Sequence, residues 1–124
     1  MGRTNYQRGY ETERKIVKEL TDRGFLVLRS AGSHGKIDVL GMREDRIVAV
    51  QSKRTKAFSW SDYRKEVAAI QEVIAKYELD YVTWELWVWV DRKGFRKWVI
   101  DRNEVCEKEG RHEQSYNGNL RNLL

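Results

Sequence analysis

The feature that most constrains this chain is the order in which its hydrophobic period changes. Over residues 5–23 the apolar positions recur at helical spacing, with Ile16, Val17 and Leu20 forming one stripe. Three short runs rich in Val, Ile and Leu follow at 25–30, 36–40 and 46–53, separated by turns that contain Gly. Helical spacing returns over 60–79, where Tyr63, Val67, Ile70, Ile74 and Tyr77 share a face. Residues 81–90 and 95–100 then flank Asp91-Arg92-Lys93-Gly94, which reads as a β-hairpin with Gly at its tight position. A short helix over 102–109 and a polar tail from about residue 110 complete the pattern. Helix, three strands, helix, two strands is the order of an α/β domain, here a single one over residues 1–124.

Local signals sharpen the boundaries. Thr4 and Gln7 have the spacing of a capping box, and Gly24 offers the left-handed residue that stops the first helix. Ser59 or Ser61 caps the second helix. Trp84, Trp87, Trp89 and Trp98 all fall in the hairpin, with Trp84 facing opposite to Trp87 and Trp89, so both faces carry aromatics. Indoles at alternate strand positions belong in a core or a subunit interface, and a buried dimer patch is expected here.

Composition narrows the function. The chain is 124 residues long with 40% hydrophobic and 35% charged residues, enough to bury a core beneath a densely charged surface. Its longest apolar run, within 86–90, is far too short to span a bilayer, and the N-terminus lacks the apolar segment of a signal peptide; a cytoplasmic protein is expected. Cys106 is the sole cysteine, which excludes an intramolecular disulfide and a cysteine-rich zinc site, so any metal is held by oxygen. A net charge of +5 and a pI near 9.4 favour a polyanionic partner, because each cation placed on a phosphate releases counterions.

The chemistry concentrates in a few positions. Glu13 lies three and four residues before Ile16 and Val17, on the apolar stripe, so its carboxylate faces inward; the structural alternative is a helix-edge pair with Lys or Arg. In the third strand Ile47, Ala49, Gln51 and Lys53 share one face, and Val48, Val50 and Ser52 the other. Asp38 in the second strand can converge with Gln51 and Lys53 at one sheet edge. Oxygen donors with a lysine beside them are the equipment for holding Mg²⁺ and polarising an attacking water.

With Arg8-Gly9, Glu13-Arg14, Gly24-Phe25, Arg29-Ser30-Ala31-Gly32-Ser33, Lys36-Ile37-Asp38 and Val50-Gln51-Ser52-Lys53 in hand, the chain strongly resembles the archaeal Holliday-junction resolvases, a branch of the PD-(D/E)XK nuclease superfamily. The likeness is close over residues 8–56. It implies a restriction-endonuclease-like fold, with a central five-stranded mixed sheet flanked by helices, and a homodimer that nicks opposite strands of a four-way DNA junction. It also implies Mg²⁺ as cofactor, with Mn²⁺ substituting. Glu13, Asp38 and Gln51 match the family's metal-binding positions and Lys53 its catalytic lysine, while Arg14, Arg29 and Ser33 match its phosphate-handling positions. Arg forks onto phosphate, and a hydroxyl in a Gly-flanked loop donates to a non-bridging oxygen. Arg54 and Lys56 are expected in a mobile basic loop gripping the junction backbone. His34, in a polar loop with no matching role, stays outside the catalytic set.

Gln51 departs from the family, which usually carries Glu there. A glutamine oxygen can ligate Mg²⁺ but brings no charge, which throws more of the work onto Asp38 and Glu13. Two other functions fit the same residues: a duplex endonuclease with this metal site, and a junction-binding protein whose site decayed at Gln51.

Overall fold

The computed structural model describes residues 4–30 and 36–108, so the tail expected from about 110 lies outside the described residues. The chain runs α1 (Asn5–Asp22), β1 (Leu26–Arg29), β2 (Val39–Arg43), β3 (Arg46–Thr55), a 3-10 turn (Trp60–Tyr63), α2 (Arg64–Tyr77), β4 (Val82–Val90), β5 (Gly94–Ile100) and β6 (Val105–Lys108). All six strands form one sheet in chain order. Only β3 and β4 run parallel, because α2 carries the chain back across the sheet between them; every other pair is antiparallel, and the sheet is mixed as expected.

The helix ends follow their local chemistry. Thr4 Oγ1 accepts from the Gln7 N–H at 3.1 Å and Gln7 Oε1 accepts from the Thr4 N–H at 2.9 Å, the reciprocal pair of a capping box. Gly24 takes φ +90°, open to glycine at little steric cost, and turns the chain from α1 into β1. The expected second helix of residues 60–79 divides into the 3-10 turn and α2. Ser59 precedes that turn without capping it; its hydroxyl pairs with that of Ser61 at 3.1 Å.

The two helices bury opposite sheet faces. Ile16 and Leu20 of α1 cluster with Phe25, Val39, Val48, Val50 and Trp87. Val67 and Ile70 of α2 cluster with Leu86, Val88, Trp98 and Ile100. The alternation read in β3 holds: Val48 and Val50 belong to the α1 side, and Ile47, Ala49, Gln51 and Lys53 to the other. Trp87 and Trp98 are buried in these cores, and Trp84 packs against the α2 cluster. Trp87 and Trp98 thus serve the chain's own interior, while Trp84 and Trp89 remain half-buried.

Two expectations are corrected. The sheet has six strands, not five, and residues 105–108 form β6 instead of a helix. The charged sequence there has helix propensity, but its side chains have partners across the sheet. Glu107 takes a two-pronged contact from Arg96 at 2.8 Å, and Lys108 Nζ lies 3.3 Å from the carboxylate of Glu85, which is only 4% exposed. Leaving that carboxylate buried and unpaired is more costly than any propensity term, so tertiary pairing decides the structure.

Candidate active site

The site forms where β3 outruns β2. Val39, the first residue of β2, pairs with Val50, so Gln51–Thr55 continue with β4 alone as neighbour. Asp38 therefore stands at the entrance to β2, one residue outside the strand in which the sequence placed it. Its N–H donates to Val50 O at 2.9 Å and its carbonyl accepts from Ser30 N at 2.8 Å. Its side chain is fixed as well: Oδ2 accepts the Ser52 N–H at 2.9 Å. The carboxylate is thereby tied to the middle of Gln51-Ser52-Lys53. Burial pushes the Asp38 carboxyl above the usual range, opposed by the Ser52 hydrogen bond and the Lys53 charge.

Gln51 is 7% exposed, and its Oε1 is buried without a hydrogen-bond partner among the described residues. An unsatisfied buried acceptor costs about 1–3 kcal/mol, and such an atom calls for an explanation such as an ion. Lys53, two residues further on the same strand face, places Nζ 3.5 Å from Glu66 Oε2 on α2.

Glu13 approaches from α1. Both readings of this residue hold: it faces the sheet, and it pairs with a cation. Arg29 donates through Nε to Glu13 Oε1 at 3.1 Å, with a second guanidinium nitrogen also at 3.1 Å, and stacks over the Tyr10 ring at 4.5 Å. Burial is the largest influence on the Glu13 carboxyl and raises it; the Asp38 charge adds to this, against the Arg29 contact. That Asp38 repels Glu13 and is attracted by Lys53 shows that the three share one electrostatic neighbourhood.

Arg8, Lys53, Arg54 and Lys56 line one open cavity of about 360 Å³, a basic cleft with the carboxylates of Glu13 and Asp91 in its wall. Arg14 is exposed, 5.8 Å from the Tyr10 ring. Arg54 corrects an expectation: it lies within β3, half-buried, with Nε 3.0 Å from Asp91 and a further ion pair to Glu11 at 3.9 Å, so it is not on a loop. Lys56 follows the strand and is exposed. Ser33 and His34 lie outside the described residues.

Sequence reasoning missed Glu66. Its signal is the one that singled out Glu13: it sits three residues after Tyr63 and four before Ile70, so a carboxylate occupies the buried stripe of each helix.

Glu13, Asp38 and the Gln51 oxygen are hard donors of the kind Mg²⁺ takes, and the orphaned Gln51 oxygen is the observation that makes them fit such an ion. No group of three His, Cys, Asp or Glu among the described residues is arranged to hold a metal.

A mixed sheet with a helix on each face and an acid, amide and lysine gathered at the free end of β3 defines a nuclease of the restriction-endonuclease-like fold. The model of the archaeal Holliday junction resolvase family matches residues 4–74, more than half of the 124 residues, and the chain belongs to that family. In fold it is similar to the solved structure of Hjc, a Holliday junction resolvase from the archaeal hyperthermophile Archaeoglobus fulgidus. That match has 20% identity and a TM-score of 0.55, covering 73% of this chain and 70% of the other. The protein is therefore a structure-selective nuclease that resolves four-way junctions.

Proposed function

We propose that this resolvase cuts junction phosphodiesters with Mg²⁺ held by Glu13, Asp38 and the side-chain carbonyl of Gln51, Mn²⁺ being able to substitute. The observation that carries this reading is the buried, unpartnered Gln51 Oε1 on the strand segment to which the Asp38 carboxylate is tied. When bound, the cation supplies positive charge at the scissile phosphate and eases deprotonation of the attacking water.

The chain's own groups do the rest. Asp38 is held still by Ser52, so its carboxylate is preorganised. Lys53 presents its ammonium to the phosphate as negative charge builds on the non-bridging oxygens. Arg14, Arg29 and Ser33 seat that phosphate, with Arg29 exchanging its contact with Glu13 for one with DNA. Arg54, braced by Asp91, and Lys56 hold the neighbouring backbone.

A junction has approximate two-fold symmetry, so two symmetric cuts call for a two-fold enzyme, and the working species is a homodimer. Its apolar contact is drawn from surface that the core leaves over: Leu26 and Leu28 of β1 are 68% and 54% exposed, on the sheet face opposite α1. No helix among the described residues is long and apolar enough to cross a membrane, and we place the enzyme in the cytoplasm with its DNA. The whole of residues 1–124 acts as one nuclease domain.

The neutral side chain at position 51 keeps one rival in play, a junction binder without catalysis. Incubating labelled four-way junctions with Mg²⁺ or Mn²⁺ separates the two. Paired nicks that require the ion support the enzyme, and tight binding with no nicks in either ion supports the rival.

A further inference from the structure

α2 aims Glu66 at the sheet because Tyr63 and Ile70, one turn to either side, are both buried against it. The carboxylate is divided in its surroundings: Oε2 lies 3.5 Å from Lys53 Nζ, whereas Oε1 is buried and has no hydrogen-bond partner among the described residues. A solvated ion pair would leave that oxygen in water. On β3, two residues from Lys53 and on the same face, Gln51 Oε1 is in the same condition inside a side chain more than nine-tenths buried. Two acceptors closed to solvent and lacking donors thus lie on the α2 side of the sheet, one of them on the carboxylate that pairs with Lys53. Both need positive charge, and Lys53 reaches only one oxygen of them at ion-pair distance. Position 51 is also where the site is short of a negative charge.

We propose that Glu66 supplies from α2 the anionic ligand that position 51 lacks, so that Glu66 and Gln51 together do for a divalent cation what a glutamate on β3 would do alone. This rests on the metal-dependent reading given above. The ligand set then joins the carboxylates of Asp38 and Glu66 to one neutral amide, and the negative charge missing at position 51 comes from α2.

The test is Mn²⁺ binding to the DNA-free full chain, followed by calorimetry and by the electron paramagnetic resonance signal of free Mn²⁺. Glu66→Gln should weaken binding roughly tenfold or more, the scale on which metal sites respond to loss of a supporting group, and Asp38→Asn should do the same. The Glu66 loss should persist when Lys53 is Ala, and Gln51→Glu should largely restore affinity to Glu66→Gln. If Glu66→Gln binds Mn²⁺ like the unsubstituted chain, or its effect vanishes in the Lys53→Ala background, Glu66 only positions the lysine and the proposal is overturned. Failure of Gln51→Glu to restore binding overturns it too. Should circular dichroism show Glu66→Gln unfolded, Glu66→Met, similar in volume, carries the same comparison. An unsubstituted chain that binds no Mn²⁺ contradicts the metal-dependent reading itself; intact binding lost only with Asp38→Asn contradicts the assignment of Glu66 alone.

Discussion

The Asp38 carboxylate accepts the backbone N–H of Ser52 at 2.9 Å, which locks the acid at the entrance to β2 to the Gln-Ser-Lys tripeptide of β3. Asn at position 38 keeps an acceptor for that bond and loses only charge. Asp38→Asn is therefore expected to abolish nicking while leaving junction affinity equal or higher, since a charge that repels phosphate is gone. Gel-shift and cleavage assays on the same preparation check both halves.

Stability supplies an independent readout at the same residue. Burial raises the folded-state pKa of Asp38 above its unfolded value, so the ionised carboxylate costs stability at neutral pH, and that cost disappears as pH falls through the raised pKa. Metal-free Asp38→Asn should then unfold at higher denaturant than the unsubstituted chain at pH 7, with the gap closing as the pH drops into the carboxylate range. Urea titrations across that interval decide it, and a gap that widens on acidification goes against the account.

How far the sequence carried depended on whether local or tertiary forces set each feature. The capping box, Gly24 and the hairpin Gly94, at φ +95°, were legible because turn and cap chemistry is local. The shared face of Gln51 and Lys53 was legible because strand alternation assigns faces without a structure. β6 was not, since its strand character comes from Glu85 and Arg96 on other elements. Arg54 was misplaced because β3 extends to Thr55 alongside β4, a pairing that the run of apolar residues does not announce. Glu66 lies beyond the residues carrying the close family likeness and was hidden in a helix whose apolar spacing already explained it.

Gln51→Glu restores a carboxylate beside a lysine and an orphaned acceptor. In a genuine metal site it should lower the Mg²⁺ concentration for half-maximal nicking, whereas Gln51→Ala should raise it. Titrating Mg²⁺ against nicking rate for the three proteins reads the order directly, and superimposable curves would remove Gln51 from the site.

Basic residues around the cleft should make junction binding fall steeply with salt. Each phosphate contact contributes about 0.9 to the log–log slope, so removing Arg54 and Lys56 together should flatten it by roughly 1–2. Arg54 is braced by Asp91, so its loss should also cost some affinity at low salt. A slope that the double variant leaves unchanged would show that the phosphates bind elsewhere.

The exposed pair on β1 makes the oligomer testable. Light scattering at micromolar concentration should report a dimer of the 14.8 kDa chain, and Leu28→Glu should shift it to monomer with loss of paired cuts. A monomeric unsubstituted chain that still makes paired cuts would overturn the two-fold scheme.

Asp38, Gln51 and Lys53 are expected to form a metal-dependent centre that acts on branched DNA. The most direct measurement follows nicking of a labelled four-way junction and of a duplex of equal sequence side by side, at moderate salt, for the unsubstituted chain and Lys53→Ala. Mg²⁺-dependent, symmetry-related nicks in the junction and little cutting of the duplex are expected, and neither with Lys53→Ala. Equal cutting of duplex and junction, or junction nicking that survives Lys53→Ala or excess chelator, would contradict it.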